Sequence, residues 1–236
     1  MKLILPMAGN GQRFFDEGYD LPKPLIAVKG KPMFQHVVEN IGLTDDLICV
    51  VRRDHVEDFN IDDHIRVYYP NANVHIIEHE TEGAACTVME AVAPLVDQPF
   101  LVANCDQLMR WSPKSFYDSA QRWKGGSILT FKPDHQIPKH SYVRIGDVGH
   151  GPGQMIELKE KTIISNIATV GVYYFGSVHK FLIAVDDMME ANDRTNGEFY
   201  LAPVYNYLKD PVGTFMVDEM IGMGTPEELK QNWDKI

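Results

Sequence analysis

Four short runs, residues 3–6, 47–51, 74–77 and 100–103, read as strands that are apolar on both faces. A strand of that kind has no side to offer to water, so it belongs in a parallel sheet covered by helices above and below. Between the runs lie amphipathic stretches, 33–41, 53–59 and 84–96, with helical spacing. This β-α-β alternation predicts an α/β fold with right-handed crossovers. Further along, 127–131, 142–145 and 168–175 read as strands, and 178–190 and 226–233 as helices. The segment 133–165, rich in Gly, Pro and His, reads as loops and hairpin strands laid over the sheet. A length of 236 residues, with no repeat and no linker composition, fits one domain.

In open α/β sheets, ligands lie beyond the carboxyl ends of the strands. The first run leads into Pro6-Met7-Ala8-Gly9-Asn10-Gly11-Gln12-Arg13. Gly9 and Gly11 let backbone N–H groups approach phosphate oxygens, since no Cβ stands in the way. Arg13, and Lys23 locked between Pro22 and Pro24, supply the positive charge a polyphosphate needs. Lys31-Pro32-Met33 then opens a helix. Asn104-Cys105-Asp106 follows the fourth run, where an aspartate suits Mg²⁺ held against phosphates. Taken alone, Asp106 reads more readily as a turn or helix-capping residue, with Ser112-Pro113 close by, and it is the loop motif beside it that favours the metal.

The net charge of −11 argues against the basic stripe needed for nucleic acid or an anionic membrane and leaves room for a small basic pocket. Cys49, Cys86 and Cys105 are odd in number and lack a Cys-x-x-Cys pair. They read as reduced thiols of a cytoplasmic protein, not as a disulfide frame or zinc site. No run approaches the roughly 20 apolar residues of a membrane span, and the opening apolar stretch is too short for a signal-peptide core.

The loop, Lys23 and Lys31-Pro32-Met33, in that order and spacing, resemble the signature of the sugar-phosphate nucleotidyltransferases. Those pyrophosphorylases make activated sugars and alcohols from an NTP and a phosphomonoester. The resemblance implies a single nucleotidyltransferase domain over 1–236, a three-layer α/β/α Rossmann variant like the GT-A fold with a mostly parallel central sheet. Residues 1–110 would bind the NTP and 111–236 the acceptor. It implies Mg²⁺ on Asp106, with Arg13, Lys23 and Asp106 as catalytic residues. Pro6, Met7, Ala8, Gly9, Asn10, Gly11, Glu78, Thr81, Gly83 and Asn104 would hold the nucleotide. In the family a Gln-Pro-x-x-x-Gly stretch reads the base, and Glu78 falls on its Gln and Gly83 on its Gly. An ionised Glu only accepts hydrogen bonds. That leans toward CTP or GTP, whose bases offer amino donors, and CTP is placed first.

Glu160-Lys161-Thr162 and the run from Ser165 to Tyr173 resemble the family's Glu-Lys-Pro and Ser-Asn-x-Ala-x-x-Gly-x-Tyr. By that resemblance Lys161 binds the acceptor phosphate and Glu160 its hydroxyls, with Tyr142, Asn166, Arg194 and Glu198 completing the acceptor pocket. Tyr200 and Tyr205 read as packing residues, and His135, His140 and His150 as surface or acceptor-side groups. Val143 stands where hexose-1-phosphate enzymes have glycine, which argues against an ordinary hexose 1-phosphate. Gly222 replaces the family's second metal-binding aspartate. Either Asp218 or Glu219 substitutes, or Asp106 and the NTP hold the magnesium between them.

The expected reaction is NMP transfer from an NTP to a small phosphorylated acceptor with release of pyrophosphate, in capsule or other surface-glycan precursor synthesis. A homo-oligomer is compatible with the chain. Rival readings are a GT-A glycosyltransferase using a finished nucleotide sugar and a non-catalytic nucleotide sensor. A nicotinamide oxidoreductase lacks the third helix-packing glycine and has no use for Lys23.

Overall fold

Leu3, Ile4 and Leu5 are wholly buried, and their neighbours alternate between two separate cores. Leu3 and Leu5 share one core with Leu47, Cys49, Val51, Leu101 and Ala103, whereas Ile4 shares the other with Ile48, Val50, Phe100 and Val102. The two-residue period of a strand divides each apolar run between the faces of a sheet. A computed structural model describes residues 1–43, 45–146 and 153–236. Its first strands are β1 (Lys2–Pro6), the two-residue β2 (Ala27–Val28) and β3 (Lys31–Pro32), β4 (Leu47–Arg52), β5 (Asn73–Ile77) and β6 (Phe100–Ala103). The order β6-β1-β4-β5 is parallel throughout, with Leu3 opposite Leu47 on one side and Leu101 on the other.

Helices cover both faces of this parallel centre. They are α1 (Gln12–Asp16), α2 (Met33–Ile41), α3 (Arg53–Phe59), α4 (Ile61–Tyr68), α5 (Ala84–Val92), α6 (Pro113–Ala120), α7 (Val178–Glu190) and α8 (Pro226–Gln231). Phe34, Val37 and Val38 of α2, Ile61 and Ile65 of α4 and Phe116 of α6 fill the first core. Ala85, Val88 and Val92 of α5 and Phe181, Ala184 and Val185 of α7 fill the second. Each fully buried Leu, Ile, Val or Phe contributes about 1.5–3 kcal/mol, which is what holds short helices in place here. None of the described helices is long and apolar enough to cross a membrane.

The rest of the sheet is β8 (Gly126–Phe131), β9 (Ser141–Ile145), β10 (Met155–Glu160), β11 (Ala168–Phe175) and β12 (Val212–Met216). Strand β11 runs antiparallel to β6 and forks the sheet: one branch is β8 with parallel β12, the other β9 with antiparallel β10. The sheet is the mostly parallel centre of a three-layer α/β fold. The hairpin expected inside 133–165 is the β9–β10 pair.

Apart from one-residue shifts at strand ends, the main differences from the sequence reading are two helix ends and one unread ribbon. Helix α5 stops at Val92 rather than 96, because Pro94 has no N–H with which to continue the ladder. Helix α8 stops at Gln231, and Trp233–Lys235 forms a single 3-10 turn. A two-stranded ribbon, β7 (Gln107–Arg110) with β13 (Glu219–Gly222), carries no periodic pattern long enough to read, yet it fixes the backbone on either side of Asp106.

Candidate active site

The carboxyl ends of β1 and β6 open into a cleft of about 860 Å³. At its amino-terminal end the wall is Pro6, Met7, Ala8, Gly9, Gly11 and Arg13. Met7 donates to the Val50 carbonyl at 2.8 Å, continuing the strand register one step before the chain turns. Gly11 has φ +64, and a Cβ there would stand 3.3 Å from Lys23 Cβ. The loop is thus folded against the Pro22-Lys23-Pro24 corner, whose two prolines are buried. Asn10 does not line the cleft. Its amide donates to Glu80 at 2.9 Å and its oxygen accepts from Arg52, so it ties the loop to the segment after β5.

Lys23 Nζ lies 2.6 Å from Asp106 Oδ2, both on the cleft wall. Burial would lower the lysine's pKa, but the Asp106 carboxylate outweighs it and holds the ammonium well above its ordinary value. The Asp106 carbonyl accepts from Met223 at 2.8 Å, while Oδ1 is buried without a hydrogen-bond partner. Burial pushes the neighbouring Cys105 thiol up to about 11, so it is protonated at neutral pH. All three cysteines are free and buried, as reduced thiols should be.

An orphaned, buried carboxylate oxygen on the wall of a polar cleft fits a hard divalent cation such as Mg²⁺. Among the described residues no group of three or more His, Cys, Asp or Glu side chains could hold a metal. Its other ligands would therefore be phosphate oxygens and water, the usual company of Mg²⁺. Neither Asp218 nor Glu219 replaces the carboxylate missing at Gly222. Glu219 is held by Arg110 at 2.9 Å and Lys235 at 2.7 Å, and neither acid lines the cleft. The ribbon β7–β13 sets Glu219 beside Arg110. Glu228 comes nearer: a Cβ at Gly224 would stand 2.9 Å from Asp106 Oδ2 and 3.4 Å from Glu228 Oε2. A glycine at 224 keeps the space between those carboxylates open.

Thr81, Gly83, Glu80 and Glu82 form the next part of the wall, beside Asn104. Thr81 Oγ1 donates to the Gly83 carbonyl at 3.0 Å. Glu78 is not in the cleft. It is exposed, and Arg53 binds both of its oxygens, at 2.7 and 3.2 Å. Pairing of β4 with β5 sets Arg52 opposite Ile77, so Arg53 at the start of α3 stands beside Glu78 and turns it outward. We expect Glu78→Gln to change the KM for any nucleotide by about threefold or less, the scale of an exposed ion pair. A larger rise in steady-state kinetics would restore Glu78 to the base pocket.

At the far end Glu160 accepts from the Ser141 hydroxyl, and Lys161 reaches the Tyr200 hydroxyl with its ammonium 4.4 Å from the ring centroid. Burial pushes the Glu160 carboxyl up, against the Ser141 hydrogen bond and the Lys161 charge. Lys161 has φ +51, and its N–H donates to the His140 carbonyl at 3.0 Å. Glu198 also lines this end. Arg194 pairs with Glu82, donates to the Gly197 carbonyl at 2.9 Å and lies 3.8 Å over the Phe199 ring. It spans the two halves of the cleft wall rather than standing free for an acceptor.

Two residues expected at the acceptor are elsewhere. Tyr142 is fully buried, with its hydroxyl donating to the Ile137 carbonyl at 2.8 Å, and Asn166 is exposed outside the lining. Alternation along β9 sends Tyr142 into one core and Val143 into the other. Val143 therefore does not narrow the cleft, and it gives no ground against a hexose phosphate. Tyr200 lines the cleft, whereas Tyr205 packs in the core as expected. His140 lines the cleft, and burial pushes its pKa down to about 4, leaving it neutral; His135 is exposed, and His150 lies outside the described residues.

Sequence reasoning missed Ser141, Thr169, Tyr173 and Gln107, all of which line the cleft. Gly171 was the available signal. At φ +88, its Cβ would meet Gln107 Nε2 at 2.4 Å and Asn104 Nδ2 at 2.6 Å, so only glycine lets these amides reach the cleft floor.

A glycine loop, a lysine and an acidic residue beyond the carboxyl ends of parallel strands stand where open α/β sheets bind their ligands. The chain belongs to the nucleotidyl transferase family, whose model matches residues 2–203. It is 26% identical over 199 residues to the bifunctional protein GlmU of Methanocaldococcus jannaschii, covering 82% of this chain and 44% of that one. It is 27% identical to mannose-1-phosphate guanyltransferase of Aspergillus oryzae, covering 73% and 49%. The chain thus spans about half the length of these curated relatives. In fold it matches a nucleoside-diphosphate-sugar pyrophosphorylase of Vibrio cholerae RC9 with a TM-score of 0.83, at 23% identity and over 98% of this chain and 99% of that one.

Proposed function

We propose that this protein transfers a nucleoside monophosphate from an NTP to a small phosphorylated acceptor, releasing pyrophosphate. The observation that carries the reading is one cleft with the Gly9–Arg13 loop and the Lys23–Asp106 pair at one end and Lys161 with Glu160 at the other. Residues 1–110 then form the nucleotide half of a single domain and 111–236 the acceptor half.

An acceptor phosphate oxygen attacks the α-phosphorus in line, and the bond to the β-phosphate oxygen breaks. No general base is needed, because a phosphomonoester is already largely anionic near pH 7. Catalysis is then positioning and charge neutralisation. Lys23 steadies the crowded α-phosphate, while Arg13 and the loop amides take the charge building on departing pyrophosphate. Lys161 holds the acceptor phosphate and Glu160 its hydroxyls. Asp106 would hold Mg²⁺, which when bound would supply neutralisation of the phosphate charge.

With Glu78 turned outward, the carboxylates facing the nucleotide end are Glu80 and Glu82, the latter engaged by Arg194. Groups that only accept favour bases with an exocyclic amino donor, so CTP and GTP stand ahead of UTP and dTTP. A surface-glycan precursor such as a capsule unit is the setting we assign, in the cytoplasm where NTPs are at hand.

A matrix of four NTPs against phosphorylated sugars, polyols and amines, with pyrophosphate detected, tests the reading. Pyrophosphate is expected with one acceptor class and with CTP or GTP. Nucleoside diphosphate released from a finished nucleotide sugar, with no pyrophosphate from any pair, would replace it by a glycosyltransferase.

A further inference from the structure

The lysine assigned to the triphosphate is paired with the carboxylate assigned to the metal. Lys23 Nζ sits 2.6 Å from Asp106 Oδ2, and the Asp106 side chain is only 15% exposed. The lysine's backbone is pinned: buried prolines flank it, and Leu25 closes a 3-10 turn by donating to Pro22 at 2.8 Å. Gly11 packs against its Cβ. What is free to move is the four-carbon stem with its ammonium. The same ammonium cannot hold Asp106 Oδ2 while a cation occupies that oxygen, since two positive charges in a poorly solvated corner repel strongly.

We propose that Lys23 is a gate on Asp106. It keeps free divalent cations off the carboxylate, and it leaves only when phosphate oxygens offer it another anion, so the metal enters together with the nucleotide. Resting on the nucleotidyl-transfer reading, this adds a binding order: the triphosphate draws Lys23 toward itself and thereby uncovers Asp106. Oδ1 is buried and has no hydrogen-bond partner to give up, and Oδ2 becomes available when the lysine swings away. The gate also spares the free enzyme a buried, unpaired carboxylate.

Binding of Mn²⁺, followed by the loss of its free EPR signal, tests this without any turnover. In the absence of nucleotide, Lys23→Met should bind Mn²⁺ at least about tenfold more tightly than the unmodified protein, within the range of ordinary coupling between sites. Asp106→Asn should abolish that gain. Adding a non-hydrolysable NTP analogue should erase or invert the difference, because the unmodified protein then keeps its lysine on the phosphates. Equal or weaker Mn²⁺ binding by Lys23→Met overturns the gate. Lys23→Gln, which keeps a polar side chain in the corner, serves should the methionine variant fail to fold. A protein that binds no NTP analogue at all removes the nucleotidyl-transfer reading instead, and the Mn²⁺ comparison in the free protein still decides the gate.

Discussion

Replacing Asp106 by alanine is expected to lower turnover by about two to four orders of magnitude, with Lys23→Ala close behind. The two changes act through one corner. Asp106 offers a buried carboxylate oxygen with no partner, and Lys23 is the cation 2.6 Å from the other oxygen. In the proposed reaction, removing Asp106 would take away the protein's hold on a metal that neutralises the phosphates. Removing Lys23 takes a charged donor from an α-phosphate whose charge crowds as the attacking oxygen approaches. Preorganised donors of this kind cost a few kcal/mol of transition-state stabilisation when lost. The double variant should be far less than additively impaired, because residues that act as a unit fail together. Single-turnover rates of pyrophosphate release from NTP and acceptor are the measurement. Near-normal turnover in either single variant would remove that residue from the mechanism.

Gly83→Ala is expected to destabilise the fold by about 3 kcal/mol and lower the Tm by roughly 6–12 °C. Gly83 has φ +136, a conformation L side chains rarely adopt, and a Cβ there would lie 2.5 Å from the Phe199 carbonyl oxygen and 2.7 Å from its nitrogen. Those are backbone atoms, and they cannot yield as a flexible side chain would. The contact is held on both sides, since Phe199 donates to the Glu82 carbonyl at 2.8 Å and Ala85 donates to the Phe199 carbonyl at 3.1 Å. Opening it separates the nucleotide wall from the 194–200 loop, so nucleotide affinity should fall as well. Gly18→Ala is the control. Gly18 also has a positive φ, +84, but open space around its missing Cβ, and its cost should stay near 1 kcal/mol. Thermal unfolding of the two variants separates strain alone from strain plus collision. Equal losses would mean that the Phe199 contact is not what requires glycine at 83.

The parallel centre of the fold was legible because its signal is local: each run must be apolar on both faces, and each crossover helix shows its own stripe. Helices α2, α3 and α7 were read to the residue, and β6 and β11 likewise. The ribbon β7–β13 escaped because its strands lie more than a hundred residues apart and neither has a repeating pattern. The cleft was legible at Gly9, Gly11, Arg13, Lys23 and Asp106, where glycine and charge sit at a strand's carboxyl end. It was not legible at Tyr142 or Val143, whose sides of β9 are settled by which core the strand covers.

Motif position and side-chain direction part company at Glu78, which holds the expected place in the chain but turns to Arg53 across the β4–β5 pair. Such a choice depends on the strand register, and register is a property of two segments brought together. The amino-acid order by itself determined the alternation of strands and helices, the glycine turn and the cations that follow it, since covalent neighbours dictate backbone freedom and local charge. Tertiary structure alone decided that Lys23 meets Asp106 across 83 residues of chain, that Gly224 leaves the space between Asp106 and Glu228 open, and that Arg194 joins the two walls. Those outcomes depend on packing, which fixes which distant groups share a corner of the cleft.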